Sequence, residues 1–302
     1  MKHSLPILIA AAVLASAEVA ERPVSSSPPP SNSQVSGESF VRQAAQRLGN
    51  QPVYQAQLRQ NIDLVGQSLS VSGVYLQKAS PRGLLTRLDW NVPVGDRVAS
   101  AQQISDGRFL WIRRDLLDGP VLQRVDLDRV RAAVKQEATD SQQPPLMTDW
   151  AILGLPSLLE NLAASYRLDP PRAATLGNLP VWVVEGIGNP QKISASTVIP
   201  TDDPKSAKAG SMPQLPTNIR IVFDQQELML QRVEYLRREE NRSTKSDETT
   251  EIRLQSLAVI EVVRVANGET PDERLFVCEP NGLEVADHTD RYLRGLANRW
   301  GD

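Results

Sequence analysis

The chain has 302 residues, of which 40% are hydrophobic and 23% are charged, and its formal net charge is −3. This is the composition of an ordinary globular protein, and the length allows one large domain or two small ones. The mild acidity excludes the basic footprint of a nucleic-acid-binding protein, so we expect no nucleic acid partner. Aromatic residues make up 5% of the chain, which is few for a lipid cavity or a sugar platform.

The first residues predict a signal peptide. A basic start, Met1 to His3, precedes an apolar run from Leu5 to Ala15, and two small-x-small sites follow at Ala15-Ser16-Ala17 and Glu18-Val19-Ala20. This order is typical of an export signal, cleaved here after Ala17 or Ala20. The apolar run is shorter than the roughly 20 residues that a spanning helix needs. We therefore expect a periplasmic or otherwise exported protein that is soluble once residues 1–20 are removed.

Residues 21–37 are rich in Ser and Pro and predict a disordered linker, so that residues 38–302 form a single domain. Apolar residues at helical spacing predict helices over residues 39–48, about 128–138, 148–166 and part of 284–300. Asp126 or Asp128 caps the second of these, and Pro156 starts or kinks the third.

Alternation of apolar and polar residues at period two predicts strands through most of the domain. A long polar loop separates the later strands at residues 189–216. The segment 55–64 also fits an extension of the first helix. The predicted strands cover residues 55–64, 71–77, 84–90, 98–104, 109–113, 121–127, 181–186, 219–223, 228–237, 250–265 and 275–278.

The clearest hairpin signal is the run from Ser105 to Trp111. Asp106-Gly107 lies between two β-prone runs, and such a pair favours a tight turn in which both positions have positive φ. Many strands joined by short turns, with a few helices, predict an α+β fold. We expect one strongly curved antiparallel sheet, an incomplete β-barrel, with helices covering its concave face.

No motif for catalysis or metal binding stands out. The histidines are His3 and His288 and the single cysteine is Cys278, a set too small for a zinc or copper site or for an internal disulfide. A buried, inert thiol is the expected state of Cys278, and a reactive thiol is the alternative. Nucleophile-elbow, phosphate-loop and dinucleotide motifs are absent. We therefore expect no catalytic residue, no metal, no cofactor and no enzymatic activity.

The remaining basis for a function is the binding of an apolar ligand by apolar side chains. If the helices cover the concave face loosely, an apolar cavity forms there, and each buried CH₂ of an acyl chain would contribute about 0.8 kcal/mol. The alternative is that the same residues fill an ordinary core, and a well-packed core beneath helix 148–166 would argue against carriage. A shift of one residue in the pairing register of a strand would also move its apolar side chains to the opposite face of the sheet. The candidate lining consists of Val74, Leu76, Leu88, Trp90, Ile104, Trp111, Leu155, Leu158, Leu159, Trp182 and Val184.

Short motifs along most of residues 40–285 suggest a family. The best match is the run from Ser105 to Trp111, which fits the motif S-D-G-x-x-L-W. Residues 55–60, 72–76, 84–93 and 275–285 are similar to A-x-F-x-Q, S-G-x-L-x-L, F-R-W…P and F-x-x-x-P-x-G-x-x-V. In this order the motifs resemble those of the outer-membrane lipoprotein carrier family (LolA-like, with LolB and the sensor RseB as relatives). The family often has Arg-Pro before F-R-W, whereas here Ser80 precedes Pro81 and Arg82 follows.

The resemblance implies a half-barrel with a helical lid over an apolar cavity, and carriage or sensing of lipid or acylated protein in the periplasm. We expect a non-catalytic carrier or chaperone that binds an acyl chain or lipoprotein. We expect it to be monomeric and to make transient contact with a membrane. The alternative is an envelope sensor or scaffold module that binds a protein partner through the same sheet.

Overall fold

The computed structural model of the protein describes residues 35–64, 67–94, 96–116, 119–140, 150–189, 216–241, 251–265 and 270–300. The predicted signal peptide, most of the predicted linker and nearly all of loop 189–216 lie outside these ranges. The helices of the described chain are α1 (Gly37–Gly49), α2 (Leu127–Asp140), α3 (Trp150–Ser165) and α4 (Thr289–Trp300), and a 3₁₀ helix spans Glu273–Phe276.

The strands of the described chain are β1 (Val53–Leu64), β2 (Gln67–Ser80), β3 (Gly83–Val94), β4 (Arg97–Ser105), β5 (Phe109–Leu116), β6 (Gly119–Asp126), β7 (Tyr166–Leu168), β8 (Arg172–Leu176), β9 (Leu179–Gly188), β10 (Asn218–Asp224), β11 (Leu230–Asn241), β12 (Glu251–Val265) and β13 (Val285–Asp287). Most of the predicted strands are present and longer than the sequence patterns predict, whereas β7, β8 and β13 were not predicted.

These 13 strands form one curved sheet that does not close on itself, in the order β13-β6-β5-β4-β3-β2-β1-β12-β11-β10-β9-β7, with β8 also paired to β9. Strand pairs in the described chain are antiparallel except β13–β6, which is parallel. With helices packed on the sheet, this confirms the predicted α+β half-barrel.

Different elements of the chain cover the two faces of the sheet. We call the face covered by α1 and α3 the inner face, and the other the outer face. On β2, Tyr75 and Gln77 lie on the inner face, since their side chains hydrogen-bond to Leu155 of α3 and Leu48 of α1. Successive residues of a strand point to opposite faces, so Val74 and Leu76, on either side of Tyr75, lie on the outer face.

Two apolar clusters lie on the inner face. The larger one joins α1 and α3 to strands on both sides of β1, and includes Val41, Leu159 and Phe223. The smaller one lies beneath α2 and α4 and centres on Leu110 and Val130. The helices therefore cover the concave side in two groups.

The outer face carries a ladder of ion pairs across β8 to β12. Glu185 pairs with Arg172 at 3.4 Å and with Arg220 at 2.8 Å, and Arg220 pairs with Glu234 at 3.1 Å. The ladder continues through Arg232, which lies 2.6 Å from Glu234 and 3.3 Å from Glu261. Each charge has a partner of opposite sign, so this part of the outer face is polar but electrostatically balanced.

Residues 270–284, the outer segment, cross the other half of the outer face. Lys78 of β2 pairs with Glu273 at 2.7 Å, and Arg87 of β3 donates a hydrogen bond to the carbonyl of Leu275 at 3.0 Å. The predicted strand at 275–278 is therefore wrong. Its first residues complete the 3₁₀ helix, which Asp272 caps by accepting from Arg274 N.

The hairpin at Asp106-Gly107 is present, with a turn different from the one predicted. Gly107 has a φ of 88°, whereas Asp106 is not among the residues with positive φ. The loop has three residues, 106–108, and is closed by a 3.1 Å hydrogen bond from Asp106 N to Phe109 O. Asp126 caps α2 as expected, because its Oδ1 accepts from the N–H of Asp128 and Arg129.

Candidate functional site

The candidate site is the inner face beneath α3. The hydroxyl of Tyr75 accepts a 3.2 Å hydrogen bond from Leu155 N and donates one of 2.8 Å to Oε1 of Gln77. The amide of Gln77 in turn donates to the carbonyl of Leu48 at 2.9 Å. This chain of hydrogen bonds runs from α3 through β2 to the end of α1, so it holds both covering helices against the sheet.

Burial keeps the Tyr75 hydroxyl protonated. It raises the pKa of Tyr75 far above the usual value, against the opposing effect of the hydrogen bond from Leu155. The hydroxyl is therefore neutral at any ordinary pH and keeps the proton that it donates to Gln77. The arrangement is suited to holding a helix in place and offers no general base.

Helix α3 is interrupted directly above Tyr75. Gly154 has a φ of 74° and a ψ of −169°, a conformation that is essentially restricted to glycine. A Cβ at this position would overlap the Tyr75 hydroxyl and lie 3.1 Å from Cγ2 of Thr86. The helical run that covers the sheet therefore begins after Gly154, near Pro156, as the sequence pattern allowed.

Seven of the predicted lining residues lie together on the inner side. Leu155, Leu159 and Val184 are 0% exposed, so no water-sized space adjoins their side chains. Trp182 is partly buried and packs edge-to-face on Phe40, with ring centroids 6.2 Å apart. The group consists of Leu88, Trp90, Leu155, Leu158, Leu159, Trp182 and Val184. In this structure these residues form part of a closed core.

The other four predicted lining residues lie on the outer face, and their assignment to the same cavity is wrong. Leu76, Arg87, Ile104 and Trp111 occupy successive register positions across β2 to β5, and positions paired in this way share a face. Val74 is 41% exposed. Ile104 is buried next to Arg87, which anchors the outer segment. Val74, Leu76, Ile104 and Trp111 therefore cannot join the other seven around one ligand.

Trp111 has an architectural role instead. Its indole N–H donates to Oδ2 of Asp106 at 3.1 Å, while Oδ1 of Asp106 accepts from the N–H of Arg108 and Phe109. Its ring packs against Phe109 at 5.9 Å. The carboxylate of Asp106 is thus fully used in ordering the hairpin loop.

Sequence reasoning missed a row of polar side chains on the inner face. Gln77, Thr86 and Ser105 are paired in register and nearly fully buried. The Oγ of Ser105 and the Oε1 of its neighbour Gln103 have no hydrogen-bond partner. Leaving a buried polar atom unpaired costs on the order of 1–3 kcal/mol. The row lies between the two apolar clusters, and the period-two alternation that predicted the strands could not show that it is buried.

The reactive side chains do not form a catalytic arrangement. Asp287 pairs with Arg124 at 2.9 Å and accepts from Thr289 N at 3.0 Å, so its carboxylate is engaged away from His288. Burial raises the pKa of the Cys278 thiol, although Arg113 and Arg87 oppose the shift. Within the described residues, no three His, Cys, Asp or Glu side chains group closely enough to hold a metal ion. No described helix is both long and apolar enough to cross a membrane.

The sequence matches no protein-family profile and has no significant similarity to a curated protein sequence. A DUF1329 family protein from Desulfovibrio piger superposes with a TM-score of 0.36 and 12% identity, covering 82% of this chain and 98% of that one. A domain described as that of an outer membrane lipoprotein-sorting protein, from Vibrio parahaemolyticus, superposes with a TM-score of 0.34 and 10% identity, covering 80% and 95%. Similarities at this level decide neither the family nor the activity of the chain.

Proposed function

We propose that the protein is a non-catalytic carrier or chaperone of the cell envelope that binds an acyl chain, free or attached to a lipoprotein, between the inner face and α3. Residues 1–20 serve as the export signal, 21–37 as a linker and 38–302 as one periplasmic domain. The protein works as a monomer and meets a membrane only when it loads or releases its ligand.

One observation carries this proposal: an apolar helix covers the concave face of a wide, unclosed sheet and is interrupted at Gly154 where it meets the sheet. Most of the residues on both sides of this contact are aliphatic or aromatic, and Thr86 lies next to Gly154. Displacing α3 would expose a mainly apolar surface, which is the kind of surface that an acyl chain needs.

The closed core argues against a preformed cavity, so carriage requires uptake by displacement of α3. Since no water-sized space adjoins Leu155, Leu159 or Val184, the ligand must replace α3 in its contacts with the sheet. A ligand would then shift the population toward a state in which α3 is displaced. The Tyr75–Leu155 hydrogen bond opposes this displacement.

The test is uptake of a fluorescent acyl probe, dansyl-undecanoic acid, by the delipidated full chain. Loss of the Tyr75 hydroxyl in Y75F should speed uptake roughly 5- to 30-fold, since one to two kcal/mol of closure is lost. Y54F is the matched control. Tyr54 is also buried, its ring lies 6.2 Å from that of Tyr75, and its hydroxyl has no hydrogen-bond partner.

Native mass spectrometry of the protein from its host envelope completes the experiment. A bound lipid, together with saturable probe uptake that Y75F accelerates and Y54F does not, supports the proposal. If the purified protein carries no lipid and neither the wild type nor Y75F binds the probe, the carrier function is excluded.

The closed core itself favours a second candidate, an envelope sensor or scaffold module. Such a protein needs a stable sheet and no interior space, and Leu155, Leu159 and Val184 fit that description. Affinity purification from envelope extracts separates the two functions. A stoichiometric protein partner on a lipid-free chain supports the scaffold, whereas a lipid without a partner supports the carrier.

A further inference from the structure

A pocket of about 370 Å³ lies at one end of the sheet, where two turns meet the start of α2. Its volume is in the range of sites for small molecules. It is separate from the inner-face core, and three of its five lining residues are arginines. The lining residues are Arg82, Gly107, Arg108, Asp128 and Arg131.

The walls of the pocket are held together by specific contacts. Arg131 of α2 donates a 2.8 Å hydrogen bond to the carbonyl of Gly107, which ties the helix to the β4–β5 loop. A Cβ on Gly107 would lie 3.1 Å from the Cβ of Arg82, so the β2–β3 turn packs closely on the same loop. The three arginines are thus brought together by three different elements.

The charges of the pocket are not balanced. Asp128, its single acid, pairs with Arg131 at 3.0 Å. Among the described residues, neither Arg82 nor Arg108 has a carboxylate partner. Two guanidinium charges are therefore unmatched around one opening, in contrast to the balanced ladder on the outer face.

Two contacts fix the orientation of Arg108. Its backbone N–H donates to Asp106 at 2.8 Å, and its guanidinium lies 4.9 Å from the centroid of the Phe109 ring. Stacking on an aromatic ring leaves the N–H edges of a guanidinium free to donate. Guanidinium forks match the oxygens of a phosphate group and bind it through paired hydrogen bonds.

We propose that this pocket binds a phosphate group, with Arg82 and Arg108 as its ligands and Arg131 fixing the wall between them. The group is either a free phosphate or the headgroup of a phospholipid. This site does not depend on the acyl-binding function, because it shares no side chain with the contact between α3 and the inner face.

The test measures binding of inorganic phosphate to the full chain by isothermal titration calorimetry. In parallel, the protein is co-sedimented with phosphatidylcholine vesicles prepared with and without phosphatidic acid. The variant R82Q/R108Q removes both proposed ligands. The control R97Q/R253Q removes the same charge from two exposed positions at other places on the sheet. Unfolding transitions of both variants verify that they fold like the wild type.

We expect R82Q/R108Q to weaken binding at least about tenfold, while R97Q/R253Q stays close to the wild type. Saturable binding of inorganic phosphate identifies the free ion as sufficient. Binding only to phosphatidic acid vesicles, with the same dependence on Arg82 and Arg108, identifies a lipid headgroup. The proposal is overturned if the wild type binds neither probe, or if the control weakens binding as much as R82Q/R108Q does.

Discussion

Tyr75 and Leu155 join the sheet to its covering helix: the Tyr75 hydroxyl accepts from Leu155 N at 3.2 Å, and both residues are buried. The N–H of Leu155 belongs to the first turn after the break at Gly154, where backbone donors lack partners within the helix. A side chain of the sheet therefore supplies the acceptor that the interrupted helix needs.

Removing this hydroxyl should destabilise the protein. In Y75F, Leu155 N and Oε1 of Gln77 each lose a buried partner, and we expect a loss of about 1–3 kcal/mol in the free energy of unfolding. Y54F should change it by less than about 0.5 kcal/mol or raise it, because its hydroxyl is buried without a partner. Urea unfolding of both variants measures the difference. Equal losses in the two variants would show that the hydrogen bond does not hold α3.

Gly154 should tolerate no side chain. In G154A the new Cβ meets the Tyr75 hydroxyl and the backbone stays in a glycine-specific region, so we expect a loss of about 3 kcal/mol or more. G177A is the matched control. Gly177 also has positive φ, at 59°, but a Cβ there meets nothing within 4 Å. G177A should lower the free energy of unfolding by only about 1 kcal/mol, as measured by thermal or urea unfolding. A small loss in G154A would mean that α3 moves freely to accommodate the methyl group.

The docking of α4 should depend on acid pH through Asp287. Hydrogen bonds from Thr289 and Arg124 hold the pKa of this carboxyl well below its usual value. A lowered pKa stabilises the fold above the unfolded value of about 3.9, and the effect is lost as pH falls further toward the folded pKa. Because the Asp287 side chain is about half exposed, solvent screening keeps the effect small.

The variant D287N isolates this contribution. At pH 7 its free energy of unfolding should be below that of the wild type, and the gap should narrow as pH is lowered from about 4 toward 2. Denaturant unfolding across this range measures the gap. A gap that is constant with pH would show that folding does not lower the pKa of Asp287.

Sequence patterns located most of the longer strands but not the faces on which their side chains lie. The alternation of apolar and polar residues is visible in β2 and in β3 separately, but it does not show which residues of the two strands share a face. In the structure Tyr75 pairs with Leu88. An even-numbered residue of β3 therefore shares a face with an odd-numbered residue of β2, and the same inversion recurs between Ile104 and Trp111. Hairpin length sets this parity, which is why Val74 and Leu76 were placed with residues from the opposite face.

The secondary structure of a short apolar run was also predicted wrongly. Leu275 to Cys278 carries no period that separates a strand from another buried segment. The Asp272 cap turns its first residues into the 3₁₀ helix. An ion pair between Lys78 and Glu273 and a hydrogen bond from Arg87 to the carbonyl of Leu275 hold the outer segment on the sheet. These contacts join residues nearly 200 positions apart, so they are visible only in the folded chain.

The face assignment itself predicts which residue affects ligand uptake. L159A should remove packing between α3 and the inner face, cost about 2–5 kcal/mol of stability and increase uptake of the dansyl acyl probe by opening space there. W111A should also lose stability, since it breaks the hydrogen bond to Asp106 and the contact with Phe109, but it should leave uptake unchanged. Both variants are destabilised, so a general loosening would raise uptake in both. If W111A alters uptake as much as L159A does, the ligand does not bind beneath α3.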